Sequence, residues 1–159
     1  MTLADIAERA GVSVHSIIRR YGGRDGAQTA AVERSNARVH AQREAPPGDL
    51  DRAIAVLVAH YEELGDRVLA MLAVEERFPV VRPIADQGRA EHEAWCERVF
   101  APALAARSGA ARRRLLAQLI AICDVHTWGL LRRDRRLGRA QTEIALREMV
   151  GALIGTEAR

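Results

Sequence analysis

The sequence predicts an all-α protein, and three observations carry that prediction. Apolar residues recur at the 3.6-residue period of helices, and no stretch alternates apolar and polar residues as a half-buried strand would. Hydrophobic residues make up 48% of the chain but aromatic residues only 4%, so aliphatic side chains must fill most of the core. The prolines are confined to a few places between the periodic segments. We expect a small N-terminal module followed by a larger helical bundle.

The first 22 residues carry the start and stop signals of two short helices. Thr2 is a favoured N-cap residue, and Asp5 stands three residues later as its capping-box partner. Gly11 is expected to end this helix with a positive φ, and Ser13 to cap a second helix over 14–21. The residues expected to close a small core between the helices are Ile6, Ala7, Ala10, Val12, Ile17 and Tyr21.

A Pro-Pro-Gly sequence at 46–48 cannot continue a helix and marks the clearest boundary in the chain. It predicts an N-terminal module over 1–45 and a helical domain over 49–159. Asp49 is expected to cap the first helix of that domain, and Gly65 to end it. The other helices are expected over about 25–44, 66–77, 84–105, 110–133 and 139–154.

Composition narrows the class of protein. The net charge is +3 and every one of the 24 basic residues is arginine, a mildly basic balance that permits nucleic-acid binding. Two cysteines make no disulfide scaffold, and neither a secretory leader nor an apolar run of the ~20 residues that span a bilayer is present, so we expect a cytoplasmic protein without membrane contact. No phosphate loop, nucleophile elbow or paired-carboxylate motif appears, so we expect neither an enzyme nor a cofactor.

Two short helices, a glycine turn and a third helix form the pattern of a helix-turn-helix, whose second helix enters the major groove of DNA. Val14, His15 and Ser16 would begin that helix as candidates for base or phosphate contact, and Arg19 and Arg20 would face outward towards phosphates or a guanine edge. The alternative for these side chains is a solvated face. The full set of candidate DNA-binding residues is Thr2, Ser13, Val14, His15, Ser16, Arg19, Arg20 and Arg24.

Residues 2–26, TLADIAERAGVSVHSIIRRYGGRDG, resemble the second, third and start of the fourth helix of the TetR family of bacterial transcriptional regulators, most specifically in DIAERAGVS. The C-terminal stretch WGLLRRDRRLGRAQTEIALREMVGALI is more weakly similar to the last two helices of that family. The resemblance implies a homodimeric repressor that binds double-stranded operator DNA and releases it when a small-molecule effector enters the helical domain. The apolar surface expected for a four-helix dimer interface comes from Leu115, Leu119, Ile122, Leu146, Met149 and Val150.

The sequence departs from the family in two ways that bear on DNA binding. Ile18 stands where the family has a phosphate-binding tyrosine, whereas Arg24 stands where it has a phosphate-binding lysine. The family also has a helix before the position of Thr2, which predicts either a misassigned start or a truncated regulator. The alternative function is therefore a dimeric helical protein that has lost DNA binding but still binds a ligand or partner.

The helical domain gathers most of the chain's aromatic and sulfur-containing side chains, for which both a ligand pocket and plain core packing are open interpretations. His92 and Cys96 stand four residues apart, and Cys123 and His126 three apart, so a Zn²⁺ site is a further alternative, although we expect no metal. The candidate pocket residues are Tyr61, Met71, His92, Trp95, Cys123 and Trp128.

Overall fold

A computed structural model describes residues 2–27, 30 and 41–155 of the chain. All the regular secondary structure of those residues is helical, without a strand, which confirms the all-α class. The chain groups into two compact units, 1–42 and 43–159, and each is described by itself.

In the first unit, helix α1 (Leu3–Ala10) begins and ends where the local sequence predicts. The side chain of Thr2 accepts a hydrogen bond from the amide of Asp5 (3.2 Å), and the Asp5 carboxylate accepts one from the amide of Thr2 (2.6 Å), which completes a capping box. Gly11 takes a left-handed conformation with φ +64° and its amide bonds to the last carbonyls of the helix. The predicted caps of α1 are therefore confirmed.

Helix α2 (Val14–Tyr21) follows after a three-residue turn, capped by Ser13 and ended by a left-handed glycine. Ala7 and Ile17 are buried between the helices, but Ala10 and Val12 are exposed, so the prediction that they belong to the core was wrong. Helices of eight residues have little more than two turns, so only a few positions of each can face the other. Residues 24–27 are helical, and most of the predicted third helix lies outside the described residues.

In the second unit, α3 (Leu50–Ala73) is a single helix of 24 residues whose cap is Asp49, as predicted. Gly65 does not end it, and the separate helix predicted over 66–77 is its continuation. Gly65 instead packs against the indole of Trp128, where an added Cβ would lie 2.4 Å from the ring atom Cζ3. The glycine is there because another helix approaches closely, not because the chain turns.

The next predicted helix, 84–105, is divided in two. A 3₁₀ turn at Pro79–Val81 precedes α4 (Arg82–Val99), and α5 (Ala101–Ala105) follows after Phe100. The proline of α5 lies in its first turn, where its missing amide hydrogen removes no helical hydrogen bond.

The predicted helix over 110–133 is also interrupted. It consists of α6 (Gly109–Ile122), α7 (Val125–Gly129) and a π-helical turn at Leu130–Asp134. The interruption falls at Asp124, whose carboxylate accepts a hydrogen bond from the amide of His126 (2.8 Å) and so starts α7.

The last helix, α8 (Arg139–Ile154), has the predicted bounds. The core of the second unit lies where α3 meets α7 and α8, with α4 packed on α6 beside it. Its fully buried large side chains include Ile54, Leu57, Leu104, Leu115, Leu119, Trp128, Leu146 and Val150.

Among the described residues, no single helix is long and apolar enough to cross a membrane. The consecutive helical segments Gly109–Ile122 and Val125–Asp134 reach that length and hydropathy only when they are taken together, and the chain bends by 40° between them.

Candidate functional site

The first candidate site is one side of α2, which carries most of the predicted DNA contacts. Val14, His15, Ile18 and Arg19 are exposed, and we call these four residues the α2 outer face. They recur one and four residues apart, so they form a stripe opposite the buried Ile17. The stripe combines an imidazole, a guanidinium and apolar contact surface.

The charge at this site is positive. Arg20 is exposed beside the α2 outer face, with its guanidinium 5.7 Å from the centre of the Tyr21 ring, and Arg24 is exposed in the helical residues that follow. Helix α2 itself contains no Asp or Glu. Three arginines within six positions give this surface the charge that phosphate binding requires.

Thr2, Ser13 and Ser16 use their hydroxyl groups locally. The Thr2 oxygen accepts from the amide of Asp5, and the Ser13 oxygen accepts from the amide of Ser16 (3.1 Å) and lies 2.9 Å from the Ser16 hydroxyl oxygen. The bonds from Thr2 also lower the pKa of the Asp5 carboxyl. Capping is therefore the role that the structure shows for Thr2 and Ser13, and the hydroxyl hydrogen of Thr2 can donate to a phosphate.

The second candidate site is a buried polar cluster in the second unit, formed by Arg43, His60, Tyr61, His92 and Trp95; we call it the Arg43 cluster. The Arg43 guanidinium lies 4.5 Å from the centre of the Trp95 ring and 5.9 Å from that of Tyr61. Its backbone carbonyl accepts a hydrogen bond from the Trp95 indole (2.7 Å). Main chain and side chain of Arg43 are thus both anchored in the helical domain.

Both ring nitrogens of His92 lie within hydrogen-bonding distance of other groups. Nη2 of Arg43 lies 2.9 Å from Nδ1 of His92, and a guanidinium only donates, so Nδ1 must accept. The ring proton is then on Nε2, which donates to the carbonyl of Ile120 (3.2 Å) and also lies 3.9 Å from Sγ of Cys96. His92 thus contacts Arg43 as a hydrogen-bond acceptor and brings no carboxylate to it.

Burial and neighbouring charge perturb the other ionisable groups here. Burial lowers the pKa of His60 to about 4, with further contributions from the positive charge of Arg43 and from His92. Burial raises the pKa of Tyr61, whose hydroxyl donates to the carbonyl of Cys123 (3.0 Å). The contact between the two thiols lowers the pKa of Cys96 and raises that of Cys123.

The structure brings some of the predicted pocket residues together. Tyr61, His92 and Trp95 belong to the Arg43 cluster, whereas Cys123 and Trp128 are fully buried in the adjoining core, so core packing accounts for those two. Met71 is half-buried ten residues beyond Tyr61 on α3, which places it about 15 Å along the helix.

Sequence reasoning missed Arg43 and His60. Arg43 stands just before the Pro-Pro-Gly segment and was assigned to the N-terminal module, where an arginine is expected on the surface. A basic residue at 7% exposure in a protein of this size is rare, and no local sequence signal distinguishes it from exposed arginines.

The metal site considered from sequence does not form. His126 is exposed and its Nδ1 lies 2.7 Å from the carboxylate of Asp124, away from His92 and Cys96. Over the described part of the chain, no three His, Cys, Asp or Glu side chains are grouped as a metal ion requires.

The predicted dimer surface needs correction as well. Leu115, Leu119, Leu146 and Val150 are buried in the core of their own chain, so they cannot supply apolar surface to a partner. Helices α6 and α8 pack on each other within one chain, which consumes those faces. The two remaining residues of that set, Ile122 and Met149, are half-buried.

Comparison of the chain with protein-family models, curated proteins and solved structures gave no match. The resemblance to the TetR family therefore stays a prediction from the sequence.

Proposed function

We propose that the chain is a sequence-specific DNA-binding regulator of transcription, a repressor of the TetR type that a small ligand releases from its operator. The observation that carries the proposal is the pair α1 and α2, two capped eight-residue helices joined by a short turn, with a positively charged α2 outer face.

The dimensions of α2 suit the major groove. An eight-residue helix is about 12 Å long, close to the width of the groove. In the proposed complex, Val14 and His15 at its start approach base edges, where Val14 meets a thymine methyl group and His15 donates to a base acceptor. Arg19, Arg20 and Arg24 neutralise phosphates. Ile18, which is 48% exposed, adds apolar contact in place of a phosphate hydrogen bond.

In this proposal the second unit binds the effector and joins two chains. Dimerisation places two α2 helices about 34 Å, one turn of DNA, or a multiple of it apart. An effector that binds better to a different spacing lowers operator affinity, by no more than its differential affinity for the two states.

The direct test is selection of binding sites by the 159-residue chain from a pool of random duplexes, followed by gel-shift titration of the selected sequence. We expect an enriched, two-fold symmetric sequence whose affinity falls steeply with salt because bound phosphates release counterions. Enrichment of no sequence would reject the proposal and favour the helical ligand- or partner-binding protein.

Single substitutions separate the roles of the residues in α2 and after it. Arg24→Ala is expected to weaken all sequences about equally and to reduce the salt slope by about 1, whereas His15→Ala is expected to change which base is preferred at one position. Arg98→Ala removes the same charge from an exposed position of α4 and serves as the control for net charge. The opposite pattern for Arg24 and His15 would contradict the assignment.

A further inference from the structure

Arg43 is a buried cation that no carboxylate of the described residues neutralises. It is 7% exposed, its Nε has no hydrogen-bond partner, and no ion pair joins it to a carboxylate of the described residues. Its neighbours are His92, which accepts a hydrogen bond from it, and the rings of Trp95 and Tyr61. An arginine removed from water normally has an opposite charge beside it, because burying an unpaired charge is strongly unfavourable.

Other arginines of the helical domain show the usual pattern. Arg132 lies 2.6 Å from the carboxylate of Glu62, and Arg133 lies 2.8 Å from that of Asp66. Arg132 and Arg133 are more exposed than Arg43, so water also stabilises their charges. The contact with Trp95 offsets part of the desolvation of Arg43.

His60 is a second buried group with unused hydrogen-bonding capacity in the same cluster. It is 7% exposed, and its Nδ1 has no hydrogen-bond partner among the described residues. Its ring lies 5.5 Å from that of Tyr61, which the Arg43 guanidinium also faces. Hydrogen-bonding groups of a guanidinium and an imidazole therefore meet around aromatic rings, and the described residues supply no carboxylate to match the guanidinium.

The geometry points to a binding site for an organic carboxylate at the Arg43 cluster, with the carboxylate on Arg43 and the apolar part of the ligand against Trp95 and Tyr61. Arginine is the side chain that binds a carboxylate through two parallel hydrogen bonds. Nδ1 of His60 is a further hydrogen-bonding group within the same cluster. The inference rests on the proposed function only for the role of this ligand as the effector.

The test is calorimetric titration of the full chain with benzoate, the simplest carboxylate that carries an aromatic ring, and with benzamide, its uncharged analogue. We expect one benzoate per chain and at least tenfold weaker binding of benzamide at the same ionic strength. Because Trp95 lies against Arg43, benzoate is also expected to change tryptophan fluorescence over the same concentration range.

Variants identify the residue responsible. Arg43→Gln is expected to weaken benzoate at least tenfold, Arg43→Lys to weaken it less because it keeps the charge, and the exposed control Arg98→Gln to have no effect. If Arg43→Gln fails to fold, the comparison of benzoate with benzamide and the Arg43→Lys variant still decide.

Absence of benzoate binding to the parent chain, equal binding of benzamide, or undiminished binding to folded Arg43→Gln would overturn the inference. None of these results depends on DNA. A chain that binds benzoate but selects no DNA sequence therefore retains the carboxylate site and loses the regulatory function.

Discussion

Replacing Gly65 by alanine is expected to lower the free energy of unfolding by about 1–2 kcal/mol. The new Cβ would lie 2.4 to 2.9 Å from three atoms of the Trp128 indole, so the ring or the helix has to shift. Overpacking of this kind costs about 1–3 kcal/mol, and the better helix propensity of alanine offsets up to about 1 kcal/mol of it. Urea denaturation followed by circular dichroism measures the change.

The matched control is Gly88→Ala on α4, where the added Cβ meets no atom within 4 Å. Both glycines lie inside helices, so the propensity gain is the same, and Gly88→Ala is expected to stabilise the chain by about 0.5–1 kcal/mol. Equal effects of the two substitutions would show that Gly65 is not a contact residue.

Acidification from pH 7 to pH 5 is expected to remove about 2 kcal/mol of stability through His60 alone. Burial lowers the pKa of His60 in the folded chain to about 4 from 6.5, so the unfolded chain binds more protons in this window. The contribution is fully present above the unfolded pKa and is lost as the pH falls from about 6.5 towards 4.

His60→Gln isolates this contribution, because glutamine does not titrate. The difference in unfolding free energy between pH 7 and pH 5 should be smaller in the variant than in the parent by about 2 kcal/mol. A variant with the same pH dependence as the parent would mean that His60 is solvated in the folded protein.

The ends of the helices were predictable wherever they depend on neighbouring residues. Thr2, Gly11, Ser13 and Asp49 all cap as expected, because a cap is a contact between atoms two to four residues apart. The α2 outer face follows from the same short range, since helix geometry and one buried residue, Ile17, decide which side chains point outward.

Contacts between distant residues decided the rest. Gly65 has the residue type of a helix end, yet α3 continues because Trp128, 63 residues later in the chain, fills the space beside it. Leu115 on α6 and Leu146 on α8 have the spacing expected of a dimer interface. Both are instead buried within their own chain, in which α6 packs against α8.

The all-α class, the helix caps and the charge on α2 follow from the sequence, because these features depend on propensity, periodicity and contacts within a single turn. The burial of Arg43 and His60 among aromatic rings follows only from the tertiary structure. The cluster is formed by Arg43, which precedes the Pro-Pro-Gly segment, and by residues of α3 and α4. Its members are distant in sequence, and the desolvation of a charge depends on the groups that surround it in three dimensions.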